Sequence, residues 1–146
     1  MIFWDSSAIV PLIVKEAETD YCLNILSDDK QMLVWCLSKV EVVSALCRRF
    51  REGKLGQQYF QRSKRRLNEF IERAYEIAAV DQVKKRALRL LEVHSLRAAD
   101  ACQLAAALVA TREDPGRLTM LTFDQRLKNS AIKEGFMVNP DLDDGS

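Results

Sequence analysis

The chain has 146 residues, a length typical of one domain with a sizeable core. Its 22 basic and 21 acidic side chains give a net charge of +1, which excludes a generally basic nucleic-acid coat but not a local basic patch. No stretch approaches the roughly 18 to 20 apolar residues that span a bilayer, and no basic leader precedes the apolar start. We therefore expect a cytoplasmic protein without a membrane segment, with one domain over residues 1–140 and an acidic tail over 141–146 that frays.

The cysteines are widely spaced and form no Cys-x-x-Cys pair. Each lies among apolar neighbours, where a free thiol behaves as a small core residue. This pattern is typical of a protein in a reducing compartment, in agreement with a cytoplasmic location.

Short apolar runs alternate with segments of helical periodicity along the chain. The runs predict strands near residues 2–4, 32–36, 75–80, 119–123 and 136–138. Amphipathic or apolar periodicity predicts helices over residues 38–52, 57–74, 82–93 and 96–110, with further helices in the remaining gaps. Strands and helices that alternate in this way are typical of a mainly parallel sheet with helices on both faces. The predicted fold class is therefore α/β.

Two aspartates follow predicted strands. Asp5 comes after the run at 2–4, and Asp124 comes after the run at 120–123. Ligands of open parallel sheets bind beyond the carboxyl ends of the strands, so both side chains are expected at that cleft. Each aspartate can equally serve as the N-cap of the helix that follows it, and position alone leaves both roles open.

Glu41 lies early in the helix predicted from residue 38. The order Ser-Lys-Val-Glu over 38–41 matches a capping box, with Leu37 and Val42 placed as its hydrophobic staple. Taken alone, Glu41 is a capping residue. A carboxylate in a first helical turn at this edge of the sheet can also face the cleft and serve a cation.

Asp100 belongs to the predicted helix over 96–110, in which Arg97, Asp100 and Gln103 are the charged or amide side chains. Their spacing of three residues places one narrow polar stripe on a helix that is otherwise apolar and mostly buried. A buried carboxylate must be paired or must bind a cation. An ion pair with Arg97 is the structural alternative, and we favour a functional role.

The four acids of these segments are expected to share one cleft. Clustered carboxylates repel one another unless cations lie between them, so the cluster indicates a metal site. Ser6, Ser7 and Thr122 flank the acids and can orient a carboxylate or a water through their hydroxyls. Turn and capping roles are the alternative for each hydroxyl.

Basic side chains concentrate between residues 48 and 66, where eight Arg or Lys residues accompany one acid. Tyr59 and Phe60 lie among them, so this region can follow a phosphate backbone while a ring stacks on an unpaired base. A solvated helix face, with Phe60 in the core, is the equal alternative. The candidates for RNA contact are Arg48, Arg49, Arg62 and Arg65.

Four segments carry a family resemblance, namely FWDSSAIV, SKVEVVSAL, LRAADACQLAAAL and LTFDQRL. In order and spacing they resemble PIN-domain nucleases, and especially the VapC-type ribonuclease toxins of toxin–antitoxin pairs. The resemblance implies a three-layer α/β/α sandwich, an RNA substrate, a small antitoxin partner and a homodimer. It also implies Mg²⁺ or Mn²⁺ held by Asp5, Glu41, Asp100 and Asp124, with Ser7 in the site. The acidic tail departs from the family pattern, and residues 54–74 vary too much to transfer recognition residues.

The proton chemistry is expected to come from a metal ion. The single histidine, His94, excludes the pair of imidazoles with which metal-independent ribonucleases commonly work, and its apolar setting favours a helix-end role. A cation can lower the pKa of water and orient it for in-line attack, leaving a 5′-phosphate and a 3′-hydroxyl. Asp5, Asp100 and Asp124 are the candidates for direct ligands, and Glu41 binds directly or through water.

Three other protein classes fit the sequence less well. A non-catalytic PIN-fold RNA-binding or scaffold protein would keep the fold without the chemistry, and the retained acids argue against it. A phosphoacceptor receiver domain needs adjacent acids near the first strand and a Lys after the last main one, whereas Ser6 and Ser7 follow Asp5 here. A nucleotide triphosphatase needs a Gly-x-x-x-x-Gly-Lys loop, which the sequence lacks. The sequence therefore predicts a metal-dependent endoribonuclease.

Overall fold

The computed structural model describes residues 1–140, and the predicted frayed tail at 141–146 lies outside the described residues. The strands are β1 (Ile2–Trp4), β2 (Met32–Trp35), β3 (Tyr75–Ile77), β4 (Thr119–Leu121) and β5 (Met137–Asn139). The helices are α1 (Ser6–Ile13), α2 (Thr19–Asp28), α3 (Ser38–Arg51), α4 (Gln57–Arg73), α5 (Val80–Val93), α6 (Ala98–Ala110) and α7 (Gln125–Glu134).

The strands form one sheet in the order β3-β2-β1-β4-β5, and every neighbouring pair is parallel. The central strand β1 pairs through Ile2 with both Met32 of β2 and Thr119 of β4. Parallel pairing places the carboxyl ends of all five strands at one edge, where Asp5 and Asp124 follow β1 and β4. The predicted parallel sheet is confirmed.

Side chains of successive strand residues enter two separate cores. Phe3 and Met120 pack with apolar residues of α5, α6 and α7 on one face. Their neighbours Trp4 and Leu121 pack with residues of α1, α2, α3 and α4 on the other face. Both faces of the sheet are therefore covered, as the unbroken apolar strand sequences require, and the predicted three-layer α/β/α sandwich is confirmed.

The predicted element boundaries differ from the structure by up to three residues. The strand expected over 75–80 ends at Ile77, because β3 is an edge strand whose only partner, β2, ends at the paired residue Trp35. The next helix consequently begins at Val80 instead of residue 82. The last strand lies at 137–139 instead of 136–138.

The cysteines and the helix lengths can also be compared with what the sequence predicts. All four cysteines are free thiols, and burial, with the charges of Glu18 and Glu16, raises the pKa of Cys22 to about 12. Within residues 1–140 the helices are all too short or too polar to cross a membrane.

Candidate active site

Asp5 lies between the end of β1 and the start of α1. The apolar strand carries the chain inward, so the Asp5 side chain is only 2% exposed. Its Oδ2 accepts hydrogen bonds from the hydroxyls of Ser7 (2.6 Å) and Thr122 (2.8 Å) and from the Ser7 backbone amide (3.3 Å). Burial raises the pKa of Asp5, and these hydrogen bonds oppose the rise. Asp5 is thus both the N-cap of α1 and a buried carboxylate at the strand edge.

Ser7 and Thr122 join the loops that follow β1 and β4. The two hydroxyl oxygens lie 3.2 Å apart and both donate to Asp5. In turn, the Ser7 oxygen accepts from the amide of Phe123 (2.9 Å), and the Thr122 oxygen accepts from the amide of Asp124 (3.1 Å). The structure therefore places both hydroxyls against the Asp5 carboxylate, in the position predicted for them.

Asp124 begins α7 at the end of the loop after β4. Its Oδ1 accepts a hydrogen bond from the amide of Leu127 at 3.0 Å, which makes Asp124 the N-cap of the helix. The carboxylate is half-buried and lines a cleft together with Asp100. The capping role and the cleft position coexist, as they do for Asp5.

The predicted capping box at the start of α3 is wrong. Leu37 is the N-cap and makes no side-chain cap, while Ser38 is already the first helical residue. Leu37 is also 49% exposed, so the predicted staple with Val42 does not form. The reason is the neighbouring helix α6, whose Gln103 amide donates to both Ser38 Oγ (3.0 Å) and Glu41 Oε2 (3.0 Å). These partners draw both side chains into the interior, away from the backbone of their own helix.

Glu41 consequently lies close enough to the aspartates for its charge to act on Asp100 and for the charge of Asp5 to act on it. Its Oε2 also accepts a hydrogen bond from the hydroxyl of Ser6 at 2.7 Å. Burial raises the pKa of Glu41; hydrogen bonds from Ser6 and Gln103 lower it, and the charge of Asp5 raises it. Ser6, at the start of α1, therefore orients one member of the acidic group.

Asp100 lies in the first turn of α6 and is the least constrained of the acids. It forms no hydrogen bond or ion pair with any residue in 1–140, so the alternative pairing with Arg97 is not formed. Burial, followed by the charges of Asp124, Asp5 and Glu41, raises the pKa of Asp100 to about 6, against a smaller opposing effect of Arg97. In the sequence, the polar stripe on this apolar helix was the feature that made Asp100 a candidate for a functional role.

Gln103 is the residue of this site that the sequence analysis did not select. It is fully buried, its Nε2 links α6 to α3, and its Oε1 has no hydrogen-bond partner in the described part of the chain. The available signal was its place in the stripe with Asp100. What the sequence did not reveal was that Glu41 would be its partner.

The side chains of Asp5, Glu41, Asp100 and Asp124, here called the acidic centre, thus lie together, since the charges of the other three all act on Asp100. None of the four forms an ion pair with a residue in 1–140. Carboxylate oxygens without an ion-pair partner, with raised pKa values at Asp5, Glu41 and Asp100, fit a hard divalent cation. No group of three or more Asp, Glu, His or Cys side chains in 1–140 is already arranged to hold a metal, so binding requires side-chain movement.

The hydrogen bonds of the acidic centre leave oxygens for such a cation. The contacts described above use Oδ2 of Asp5, Oε2 of Glu41 and Oδ1 of Asp124. The second oxygen of each carboxylate, and both oxygens of Asp100, take none of these bonds. One oxygen therefore fixes the side chain while the other remains available.

The basic candidates lie on α3 and α4. Arg48 is exposed near the end of α3, whereas Arg49 forms an ion pair with Glu16 at 2.5 Å. The guanidinium of Arg62 lies 5.7 Å from the centre of the Tyr59 ring. Arg62 and Arg65 line a cleft of about 420 Å³ on α4. None of these four arginines, here called the α3–α4 surface, lines the cleft that Asp100 and Asp124 line.

Phe60 and His94 both have partners outside the acidic centre. Phe60 is stacked on Phe50 at 4.7 Å and lies under the ammonium group of Lys64 at 4.8 Å, so its faces already have partners. His94 is the C-cap of α5, as its helix-end prediction required. Its Nε2 lies 2.7 Å from Glu134, so it contacts none of the four acids.

Known proteins share this arrangement of elements. A sequence model of the PIN domain matches residues 2–133. Ribonuclease VapC45 of Mycobacterium tuberculosis (strain CDC 1551 / Oshkosh) is 29% identical over 140 residues, which cover 96% of this chain and 95% of that protein. The crystal structure of FitAcB from Neisseria gonorrhoeae is 15% identical with a TM-score of 0.65, covering 94% of this chain and 96% of that one. A toxin-antitoxin complex from Klebsiella pneumoniae is 16% identical with a TM-score of 0.60, covering 86% of this chain and 88% of that one.

The two structural likenesses concern the fold and agree with the three-layer sandwich described above. The family match is broader evidence, because it extends from the first residue of β1 into α7. The resemblance stated from the four sequence segments is thereby confirmed, and the chain belongs to the PIN domain family.

Proposed function

We propose that this protein is a metal-dependent endoribonuclease and the toxin of a toxin–antitoxin pair. The observation that carries the proposal is the acidic centre, in which four carboxylates act on one another and none has an ion-pair partner in 1–140. The name of the relative VapC45, a ribonuclease, supports the choice of RNA as substrate. We further propose that residues 1–140 act as one domain.

Asp5, Glu41, Asp100 and Asp124 would hold Mg²⁺ or Mn²⁺, with Glu41 bound directly or through a water. When bound, the cation supplies positive charge that lowers the pKa of an attacking water and stabilises the leaving oxygen. No 2′-hydroxyl is needed for this reaction, so the products carry 5′-phosphates. An RNA preference then has to come from the binding surface.

The residues of the chain divide the remaining work. Ser7 and Thr122 fix the Asp5 carboxylate, and Ser6 and Gln103 fix that of Glu41. Asp100 has no such bonds and a pKa of about 6, so it loses its proton close to neutral pH and can turn toward a cation. With Asp124 held by the Leu127 amide, three fixed carboxylates and one adaptable carboxylate are consistent with a site that closes around its ion.

Three of the four candidate arginines on the α3–α4 surface are free to contact RNA. Arg48, Arg62 and Arg65 are exposed there, whereas Arg49 is engaged by Glu16. We propose the three exposed arginines as contacts to the RNA backbone at a distance from the reacting phosphate. Base stacking would use the Tyr59 ring in place of the Arg62 guanidinium that lies 5.7 Å from its centre, because Phe60 is stacked on Phe50 and also lies under Lys64.

Cleavage of RNA by the purified protein tests the nuclease proposal. We expect cleavage with Mg²⁺ or Mn²⁺, none with a chelator, and none by Asp5→Asn in either condition. Product ends decide the mechanism: 5′-phosphates support it, and 2′,3′-cyclic phosphates contradict it. Wild-type protein that binds metal and RNA but cuts nothing would instead indicate a non-catalytic RNA-binding or scaffold protein.

The antitoxin proposal rests on the structural likeness to the Klebsiella pneumoniae toxin-antitoxin complex and on charge. An Arg or Lys of a small partner would neutralise the acidic centre and take the place of the cation. A homodimer is proposed as well. Expression should arrest growth of the host, and co-expression of the neighbouring short reading frame should relieve the arrest. Arrest that persists with Asp5→Asn, or that this product does not relieve, contradicts the toxin assignment.

A further inference from the structure

The cleft beside the acidic centre has a mixed lining. Its volume is about 470 Å³, within the range of roughly 300 to 1,000 Å³ that binding clefts commonly have. Asp100 and Asp124 line it together with Arg97 and Arg126. Arg97 immediately precedes α6, and Arg126 lies in the first turn of α7. The two arginines therefore line the same opening, one from the N-cap of α6 and the other from the first turn of α7.

Neither arginine has a structural partner in the described chain. Both residues are exposed, and neither side chain forms a hydrogen bond or an ion pair with a residue in 1–140. Arg49 and Arg86, by contrast, are engaged: Arg49 pairs with Glu16, and Arg86 pairs with Glu113 and Glu134. Arg97 and Arg126 leave the neighbouring carboxylates unpaired, so their charges remain available to a ligand.

The two arginines of the cleft favour an anionic ligand. A phosphodiester that approaches clustered carboxylates is repelled, and cations at the rim offset this repulsion. Guanidinium groups match phosphate oxygens in a planar, bidentate geometry that an ammonium group cannot reproduce. A single RNA strand can bend its backbone into such a cleft, whereas a duplex presents its phosphates on a stiff outer surface.

We propose that Arg97 and Arg126 hold a backbone phosphate next to the scissile bond of a single-stranded RNA. They thereby fix the reacting phosphate against the acidic centre. This proposal rests on the proposed ribonuclease function and extends it, because the arginines predicted from the sequence lie on the separate α3–α4 surface. In this reading Arg97 and Arg126 position the substrate, and the carboxylates carry the chemistry.

The test compares Arg97→Gln, Arg126→Gln and the double variant with Arg117→Gln. Arg117 is a matched control: it is exposed, unpaired within 1–140 and followed by β4, so it lies toward the opposite edge of the sheet. Each single change lowers the net charge equally. Binding of a fluorescent single-stranded RNA is measured by anisotropy in EDTA, which prevents metal-dependent cleavage.

We expect each change in the cleft to weaken binding by about tenfold, and Arg117→Gln to leave it within about twofold. The slope of log affinity against log salt should fall by about 0.7 for each arginine removed from the cleft. Arg97→Lys and Arg126→Lys should recover part of the affinity, since they keep the charge and lose the bidentate geometry. Retained melting temperatures of the variants show that the fold is intact.

Cleavage kinetics in Mn²⁺ supply the second readout. The cleft variants should raise KM by the same factor as they weaken binding, with kcat unchanged. Affinity equal to that of Arg117→Gln, or a loss confined to kcat, overturns the proposal. Wild-type protein that binds RNA through these arginines but does not cut it in Mn²⁺ would remove the ribonuclease function and leave the phosphate contact standing. Wild-type protein that does not bind RNA overturns both.

Discussion

Two groups of acids in this molecule differ in how their charges are balanced. In one, here called the paired cluster, Arg86 bonds to Glu113 at 3.0 Å and to Glu134 at 3.1 Å, and His94 lies 2.7 Å from Glu134. In the acidic centre, four carboxylates lie together and none has an ion-pair partner within 1–140.

The difference separates acids that support the fold from acids that await a ligand. A carboxylate paired within the chain is neutralised when the protein folds, so its presence needs no further explanation. Unpaired neighbouring carboxylates are held together at a cost in folding free energy, which is tolerated at functional sites. Replacing one acid of each cluster by its neutral amide should therefore have different consequences.

The largest expected difference is in catalysis. Asp100→Asn should lower the RNA cleavage rate by roughly a hundredfold or more, because it removes a charge from the acidic centre with little change in shape. Glu134→Gln, the same chemical change in the paired cluster, should cleave RNA at the wild-type rate. Equal losses in the two variants would erase the distinction between the clusters, and full activity of Asp100→Asn would remove Asp100 from the site.

The next difference is in the pH dependence of stability without metal. The pKa of Asp100 is raised to about 6, so the folded protein holds this proton more tightly than the unfolded chain does. The stability from this group is fully present below about pH 4 and is lost as the pH rises through about 6. With EDTA present, Asp100→Asn should therefore match the wild type near pH 4. Above pH 7 it should exceed the wild-type free energy of unfolding by about 2 kcal/mol, since solvent screening of this half-exposed carboxyl reduces the full effect of the shift, about 3 kcal/mol.

Denaturant unfolding at several pH values measures this difference. Glu134→Gln is again the comparison, since it does not remove the repulsion within the acidic centre. An advantage of Asp100→Asn that is the same near pH 4 and above pH 7 would mean that the Asp100 carboxyl is not responsible.

The substitution Glu134→Gln in the paired cluster should lower the stability of the protein. Glu134 is 19% exposed and its partner His94 is 4% exposed, so Glu134→Gln weakens ionic hydrogen bonds that are partly shielded from water. We expect a loss of about 1.5 kcal/mol in the free energy of unfolding at neutral pH, measured with urea. A gain of stability would show that the paired cluster, too, is under net repulsion.

The smallest expected effect concerns Gln103, which links Glu41 to Ser38. Gln103→Leu removes both hydrogen bonds and the unpartnered Oε1, so its effects on stability partly cancel. The affinity for Mn²⁺ should fall by about tenfold, because the Glu41 carboxylate is no longer fixed. Calorimetric titration measures this change, and unaltered affinity would mean that Ser6 alone orients Glu41.

Much of the acidic centre was accessible from sequence because it depends on topology. Asp5 and Asp124 follow strands, and the carboxyl ends of parallel strands meet at one edge whatever the details of packing. Asp100 was marked by a polar stripe on an apolar helix. These features depend only on neighbours in the chain and on the order of elements.

The parts that could not be predicted depend on contacts between distant residues. The capping box of α3 failed because Gln103, 62 residues beyond Glu41, supplies the amide that competes with the helix backbone. The hydrogen bond between Ser6 and Glu41 also joins residues that are 35 positions apart, so neighbouring residues in the chain do not predict it. The length of β3 was likewise set by its partner strand and not by its own apolar run.

Melting in the presence of Mn²⁺ tests most directly whether the acidic centre is a cation site. At a concentration near a hundred times Kd, a bound ion adds about 2.7 kcal/mol of stability. For a chain of this length that corresponds to a rise of roughly 5 to 10 °C in Tm. The wild type and Glu134→Gln should both show this rise, and Asp100→Asn should show little of it. A wild-type Tm that does not respond to millimolar Mn²⁺, measured against a chelator baseline, would contradict the account.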